Sequence, residues 1–79
     1  MKIEVCGSGC HKCTELEKRV REAVVLSGVT ATVDHVYDMS KILERGIFLT
    51  PALLVDGKTV RTGKVPPVDE LVKILKRAP

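Results

Sequence analysis

Tryptophan is absent from this chain, and tyrosine and phenylalanine occur once each, so aromatics make up only 3% of its 79 residues. A nucleic-acid surface built on stacking side chains is thereby excluded, because the basic residues have no aromatic platforms beside them. Aliphatic side chains must also fill whatever core forms. Long apolar runs are missing too. No stretch approaches the ~20 residues needed to span a bilayer, and Met1-Lys2-Ile3-Glu4-Val5 is too short and too acidic for a secretory leader. Cysteine is scarce, with three residues, too few to read as the disulfide framework of a small secreted domain. These absences point to a cytoplasmic protein with no membrane contact and no nucleic-acid partner. Thiols in that compartment serve redox chemistry, catalysis or metal binding rather than structural bridges.

What is present suits a folded chain. Hydrophobic residues make up 44%, many of them Val, Leu and Ile, which is too apolar for disorder. The length fits one domain spanning residues 1–79, burying about 60–65% of its unfolded surface. The net charge of +3 is spread with both signs along the chain. The densest basic stretch, Lys73, Lys76 and Arg77, falls at a helix-like C-terminus, where cations complement the dipole.

The periodicity changes type repeatedly, with no internal repeat or linker. Lys2 to Cys6 reads as a strand ended by Gly7-Ser8-Gly9. A helical pattern follows from about Cys10 to Ser27, with Leu16, Val20, Ala23 and Val24 on one stripe and Gly28 as its stop. Thr30 to Tyr37 is rich in β-branched residues and reads as a second strand. Asp38 is placed to cap a short helix, with Met39, Ile42 and Leu43 expected inward and Gly46 at its end. Ala52 to Val55 is an apolar strand, Asp56-Gly57 a two-residue hairpin turn, and Lys58 to Thr62 the returning strand. Pro66-Pro67 introduces a last helix carrying Val68, Leu71, Val72 and Leu75 on one face. The order is βαβαββα, an α/β chain whose first βαβ unit should pair its strands in parallel.

Cys10-His11-Lys12-Cys13 is the segment that carries chemistry. The Cys-x-x-Cys spacing puts two sulfurs on one helical turn, and the handover from glycine loop to helix offers unpaired amides and a positive dipole. Both favour thiolate, the nucleophilic form, and Lys12 and protonated His11 add positive charge. Cys13, one turn further in, is suited to resolve a mixed disulfide formed on Cys10. The spacing alone also occurs at zinc and iron–sulfur sites. Opening the helix of a βαβ unit, it becomes a redox signal. Thr50-Pro51 precedes the third strand, where a proline costs no ladder donor.

With these segments in view, the chain resembles the small thioredoxin-like or glutaredoxin-like redox-active disulfide proteins of archaea and bacteria. The likeness runs nearly end to end. It rests on Met1 to Val5, Gly7-Ser8-Gly9-Cys10-His11-Lys12-Cys13, Leu16-Glu17, Arg21-Glu22-Ala23-Val24, Thr50-Pro51-Ala52-Leu53, Val55-Asp56-Gly57 and Gly63-Lys64-Val65-Pro66. The resemblance implies a thioredoxin-like fold with a four-stranded mixed sheet in order 2-1-3-4, flanked by three helices. It implies Cys10 as attacking thiol and Cys13 as resolving thiol, with His11 and Lys12 shaping the site. Pro51 would be a cis-proline beside the disulfide, Thr50 would offer backbone groups to an extended substrate, and Gly63 would leave room for it. The implied activity is cofactor-free dithiol–disulfide exchange by a monomer acting on protein disulfides, fed by an upstream reductase. No tryptophan precedes the motif, and His-Lys replaces the Gly-Pro of larger thioredoxins, so no redox potential carries over.

Other readings compete. Cys6, Cys10 and Cys13 share the Cys-x3-Cys-x2-Cys spacing of radical enzymes with iron–sulfur clusters, which need a far longer chain. A metal-binding module on the same three cysteines, with His11 or His35 as a fourth ligand, would resemble copper chaperones, but those end in a strand. A redox sensor without turnover is a third possibility. Cys6 itself reads as a small hydrophobe ending a buried strand, with a third redox thiol as the alternative. His35 is expected on an edge strand, partly solvated and without a role. Lys64 reads as a solvent-facing residue, and Glu15 and Glu17 as helix-surface residues, either able to relay a proton to Cys13.

Overall fold

The computed structural model describes residues 1–9 and 11–78, so the thiol expected at Cys10 lies outside the described residues. The elements run β1 (Lys2–Cys6), α1 (His11–Ser27), β2 (Thr32–Val36), α2 (Met39–Glu44), β3 (Ala52–Val55), β4 (Lys58–Thr62) and α3 (Val68–Arg77). The sheet order is β2-β1-β3-β4, with β1 and β2 parallel and the other pairs antiparallel. This is the mixed sheet of a thioredoxin-like fold, flanked by three helices.

Strand alternation divides the interior into two cores. Ile3 and Val5 of β1 and Leu53 and Val55 of β3 face Leu16, Val20 and Ala23 of α1 and Leu71 and Leu75 of α3. On the opposite face Cys6, Ala52 and Leu54 meet Ile42 of α2 and Ile47. Both central strands are therefore covered on both sides, and every residue of β3 is buried. No helix among the described residues is long and apolar enough to cross a membrane.

The Asp56-Gly57 turn has positive φ at both residues, 50° and 82°, as a two-residue hairpin turn of this type demands. Asp56 does more than turn the chain. Its carboxylate accepts from the Lys2 amide at 2.7 Å, and its own amide donates to the Lys2 carbonyl at 2.7 Å, which fixes the hairpin against β1. Helix α3 has Asp69 and Glu70 in its first turn and Lys76 and Arg77 in its last, so both ends match the dipole.

Two local expectations change. The second strand spans Thr32–Val36 rather than Thr30 to Tyr37, because it pairs with β1 and that register runs from Lys2–Thr32 to Cys6–Val36. Met39 and Leu43 face outward, 50% and 51% exposed, while Ile42 is buried. Helix α2 is only six residues long, capped by the Asp38 side chain on the Ser40 amide, and Ile47 beyond Gly46 takes the second inward position.

Glu4 is the buried charge of this smaller core. Its carboxylate lies 2.9 Å from an Arg45 guanidinium nitrogen, and Arg45 also donates to the Lys41 carbonyl. A buried carboxylate needs such a partner, since desolvation without one is costly.

Leu53, 1% exposed at the centre of the larger core, is the position at which packing is most directly tested. Leu53→Ala should lower the unfolding free energy by about 2–5 kcal/mol, read as a lower urea midpoint at unchanged slope.

Candidate functional site

The thiol end of the molecule is built where β1 gives way to α1. Gly7 is buried in that loop and its amide donates to the Val36 carbonyl at 3.0 Å, continuing the β1–β2 ladder. A Cβ on Gly7 would collide with the Cys13 sulfur and would lie 3.9 Å from Cβ of Thr50. Glycine is needed here for close approach, not for an unusual φ. Cys13, on the first turn of α1, is fully buried, whereas His11 and Lys12 are exposed. The structure thus brings Cys13, Gly7 and Thr50 together.

Pro51 is buried, and the Thr50–Pro51 peptide bond is cis. The Pro51 carbonyl accepts from the Gly63 amide at 2.7 Å, which joins the loop before β3 to the end of β4. Gly63 has φ of 68°, and a Cβ there would meet Leu49 Cδ2 at 2.6 Å. The space beside Gly63 is therefore filled by the Leu49 side chain.

Cys6 sits apart from this cluster, in the core under α2. Burial pushes its thiol up from the ordinary value, the Glu4 carboxylate adds to that, and Arg45 opposes it. A thiol so placed is a poor nucleophile at neutral pH. Among the described residues, no group of three His, Cys, Asp or Glu side chains is placed to hold a metal ion.

His35 departs from expectation. It lies on the edge strand β2, but its side chain is only 6% exposed. Nδ1 lies 2.6 Å from Glu17 Oε1, Nε2 lies 3.3 Å from the Gly7 carbonyl, and the ring stacks on Tyr37 at 3.9 Å. The solvation expected of an edge strand is lost because α1 and Tyr37 cover this position. Tyr37 in turn lies against Gly9, whose added Cβ would meet the ring at 3.2 Å. The two helix glutamates also separate. Glu15 pairs with Arg19, whose guanidinium reaches the carbonyls of Val65 and Pro66, while Glu17 turns to His35 and Arg21.

Exposed apolar side chains lie on the segments that flank the cluster. Phe48, 86% exposed, and Leu49 directly precede Thr50-Pro51, and Tyr37 borders Gly9. Sequence reasoning assigned none of these a place at the site. The signal available was position: the single phenylalanine lies two residues before Thr50.

Comparison with known proteins comes down on one family. The family model described as thioredoxin domain matches residues 1–76. A thioredoxin of Methanothermobacter thermautotrophicus is 43% identical over 75 residues, covering 95% of this chain and 97% of that protein. A thioredoxin of Methanocaldococcus jannaschii is 36% identical over 74 residues, covering 94% of this chain and 85% of that one.

Two measurements probe this geometry. Gly7→Ala places a methyl group where the Cys13 sulfur lies, so the variant should lose at least about 1–3 kcal/mol of stability and react abnormally at Cys13 in thiol counting. The His35 bond holds the Glu17 carboxyl below its usual range, burial opposes this, and Arg21 reinforces it. A depressed carboxyl stabilises the fold above its unfolded value near 4.3 and loses that contribution as pH falls through the folded value. The stability gap between wild type and Glu17→Gln should therefore narrow as the pH drops below ~4.

Proposed function

Starting from the fact that this chain belongs to the thioredoxin domain family, and so is a thiol–disulfide oxidoreductase, we propose that Cys10 and Cys13 carry the exchange. The observation that supports this is the position of Cys13, buried on the first turn of α1 against Gly7 and beside Thr50. Cys10 precedes α1 directly in sequence. Its thiolate attacks one sulfur of a target disulfide, the target S–S bond breaks, and the first target thiolate leaves. Cys13 then attacks the Cys10 sulfur of the mixed disulfide. A Cys10–Cys13 disulfide forms, the second target thiolate leaves, and two electrons have passed to the target.

His11 and Lys12 add positive charge next to the attacking thiol, which favours the thiolate. Thr50 and Pro51 present the chain segment beside Cys13 against which an extended substrate lies. Gly63 acts through Pro51, by holding its carbonyl, and Leu49 rather than open space meets the substrate there. The targets are protein disulfides, for which the exposed Phe48, Leu49 and Tyr37 provide an apolar collar. The protein works as a single-domain, cytoplasmic monomer in the reducing direction, resupplied by an upstream reductase. It needs no cofactor, because the sulfur pair itself stores the electrons.

Titration in dithiothreitol or glutathione buffers, with alkylation and mass spectrometry, tests the assignment. Cys10 and Cys13 should convert together as one two-electron couple while Cys6 stays reduced. Cys13→Ser should accumulate a mixed disulfide on Cys10, and Cys10→Ser should not. Titration of Cys6 with either partner, or protection of the thiols only when metal is bound, would overturn the assignment.

A further inference from the structure

Thiol exchange as derived above makes no use of His35, although its ring is enclosed and both its nitrogens are engaged. Both partners are acceptors: the Glu17 carboxylate at 2.6 Å from Nδ1 and the Gly7 carbonyl at 3.3 Å from Nε2. A neutral imidazole has one N–H and can satisfy one of them. The imidazolium has two and satisfies both. On losing a proton the ring keeps the N–H that serves the carboxylate, since charge-assisted bonds are the stronger ones. The Nε2 lone pair then opposes the Gly7 carbonyl oxygen, and that tether is lost.

Among the described residues, the charged groups seen at the ring and its carboxylate partner come from α1. Helix α1 contributes Glu17 and Arg21, whose guanidinium shares the same carboxylate and reaches the Val33 carbonyl. The segment just after β2 contributes the Tyr37 phenol ring stacked on it, and among the described residues the loop from β1 contributes the Gly7 carbonyl. Arg21 opposes a second positive charge at His35, and Glu17 favours it. The far end of the tether is the residue whose Cα faces the Cys13 sulfur.

We propose that Glu17 and His35 form a positioning pair for the redox site, in which protonated His35 holds Gly7 against Cys13 and favours the reduced, thiolate-bearing form. This rests on the assignment of Cys10 and Cys13 as the redox couple. His35 takes its proton from solvent and returns it there. It is not transferred in the exchange, whose electrons still come from the dithiol. The consequence is linkage: reduction strengthens proton binding at His35, and protonation of His35 favours reduction to the same extent.

The test is a proton NMR titration of the His35 ring in the wild-type protein, oxidised and reduced, with His11→Gln used to assign the two histidines. The His35 midpoint should lie higher in the reduced form, on the order of half a pH unit or about threefold in proton affinity, once the thiolate is present. Glu17→Gln should lower that midpoint and move the matching inflection in the potential–pH profile with it. His35→Phe, which keeps the stack on Tyr37, should abolish the inflection. Equal midpoints in the two redox states, or an inflection that ignores Glu17→Gln, would overturn the pairing. Thiol counting by alkylation separates the two levels. Failure of Cys10 and Cys13 to form a couple removes the assignment beneath it, while an intact couple with a redox-insensitive His35 removes only this inference.

Discussion

The approach of the Gly7 backbone to the Cys13 sulfur is the constraint around which the thiol end is assembled. That contact requires glycine at the last residue of the β1 extension, and it requires α1 to begin close enough to place Cys13 under the loop. The ladder bond from Gly7 to Val36 fixes the loop to β2, and Thr50 closes the other side. The β1–α1 loop, the first turn of α1 and the distant Thr50 thus converge around one sulfur. Burial under this loop encloses the Cys13 sulfur.

Charged groups act one step further out, as ties between elements. Arg45 joins α2 to β1 through Glu4, Arg19 joins α1 to the segment before α3 through two carbonyls, and Arg61 joins β4 to α3 through Glu70. The exposed members of this set contribute little stability each. Their effect is directional, since an arginine fork accepts only a narrow range of partner geometries. The pair between Glu4 and Arg45 stands apart because the carboxylate is enclosed and has a thiol, Cys6, beside it whose ionisation it opposes.

Much of this was legible in the chain itself. The alternation in β1, the apolar run Ala52 to Val55, the Asp56-Gly57 turn and the stripe from Leu16 through Ala23 each encode one element and its inward face. Local patterns sufficed because each face is set within a few residues. The family pattern added the cis peptide at Pro51, which no local rule supplies. Where the reading failed, the cause was contact between distant residues. His35 is enclosed by Glu17, 18 residues earlier, and by Tyr37 just past the end of its strand, and periodicity says nothing of either. Met39 and Leu43 kept helical spacing but faced outward, because so short a helix buries one residue and leaves the next inward place to Ile47. Gly63 was recognisable as a glycine with a purpose, but the Leu49 side chain lying on it was not.

The lone tyrosine has a spectroscopic meaning. With no tryptophan in the chain, fluorescence excited near 280 nm comes from one ring, Tyr37. That ring lies face to face with His35 and against Gly9, at the loop that leads into the thiols. Most proteins of this size average such signals over several sites. Here tyrosine fluorescence is a local optical readout of one loop, and the bulk of the fold is silent in it.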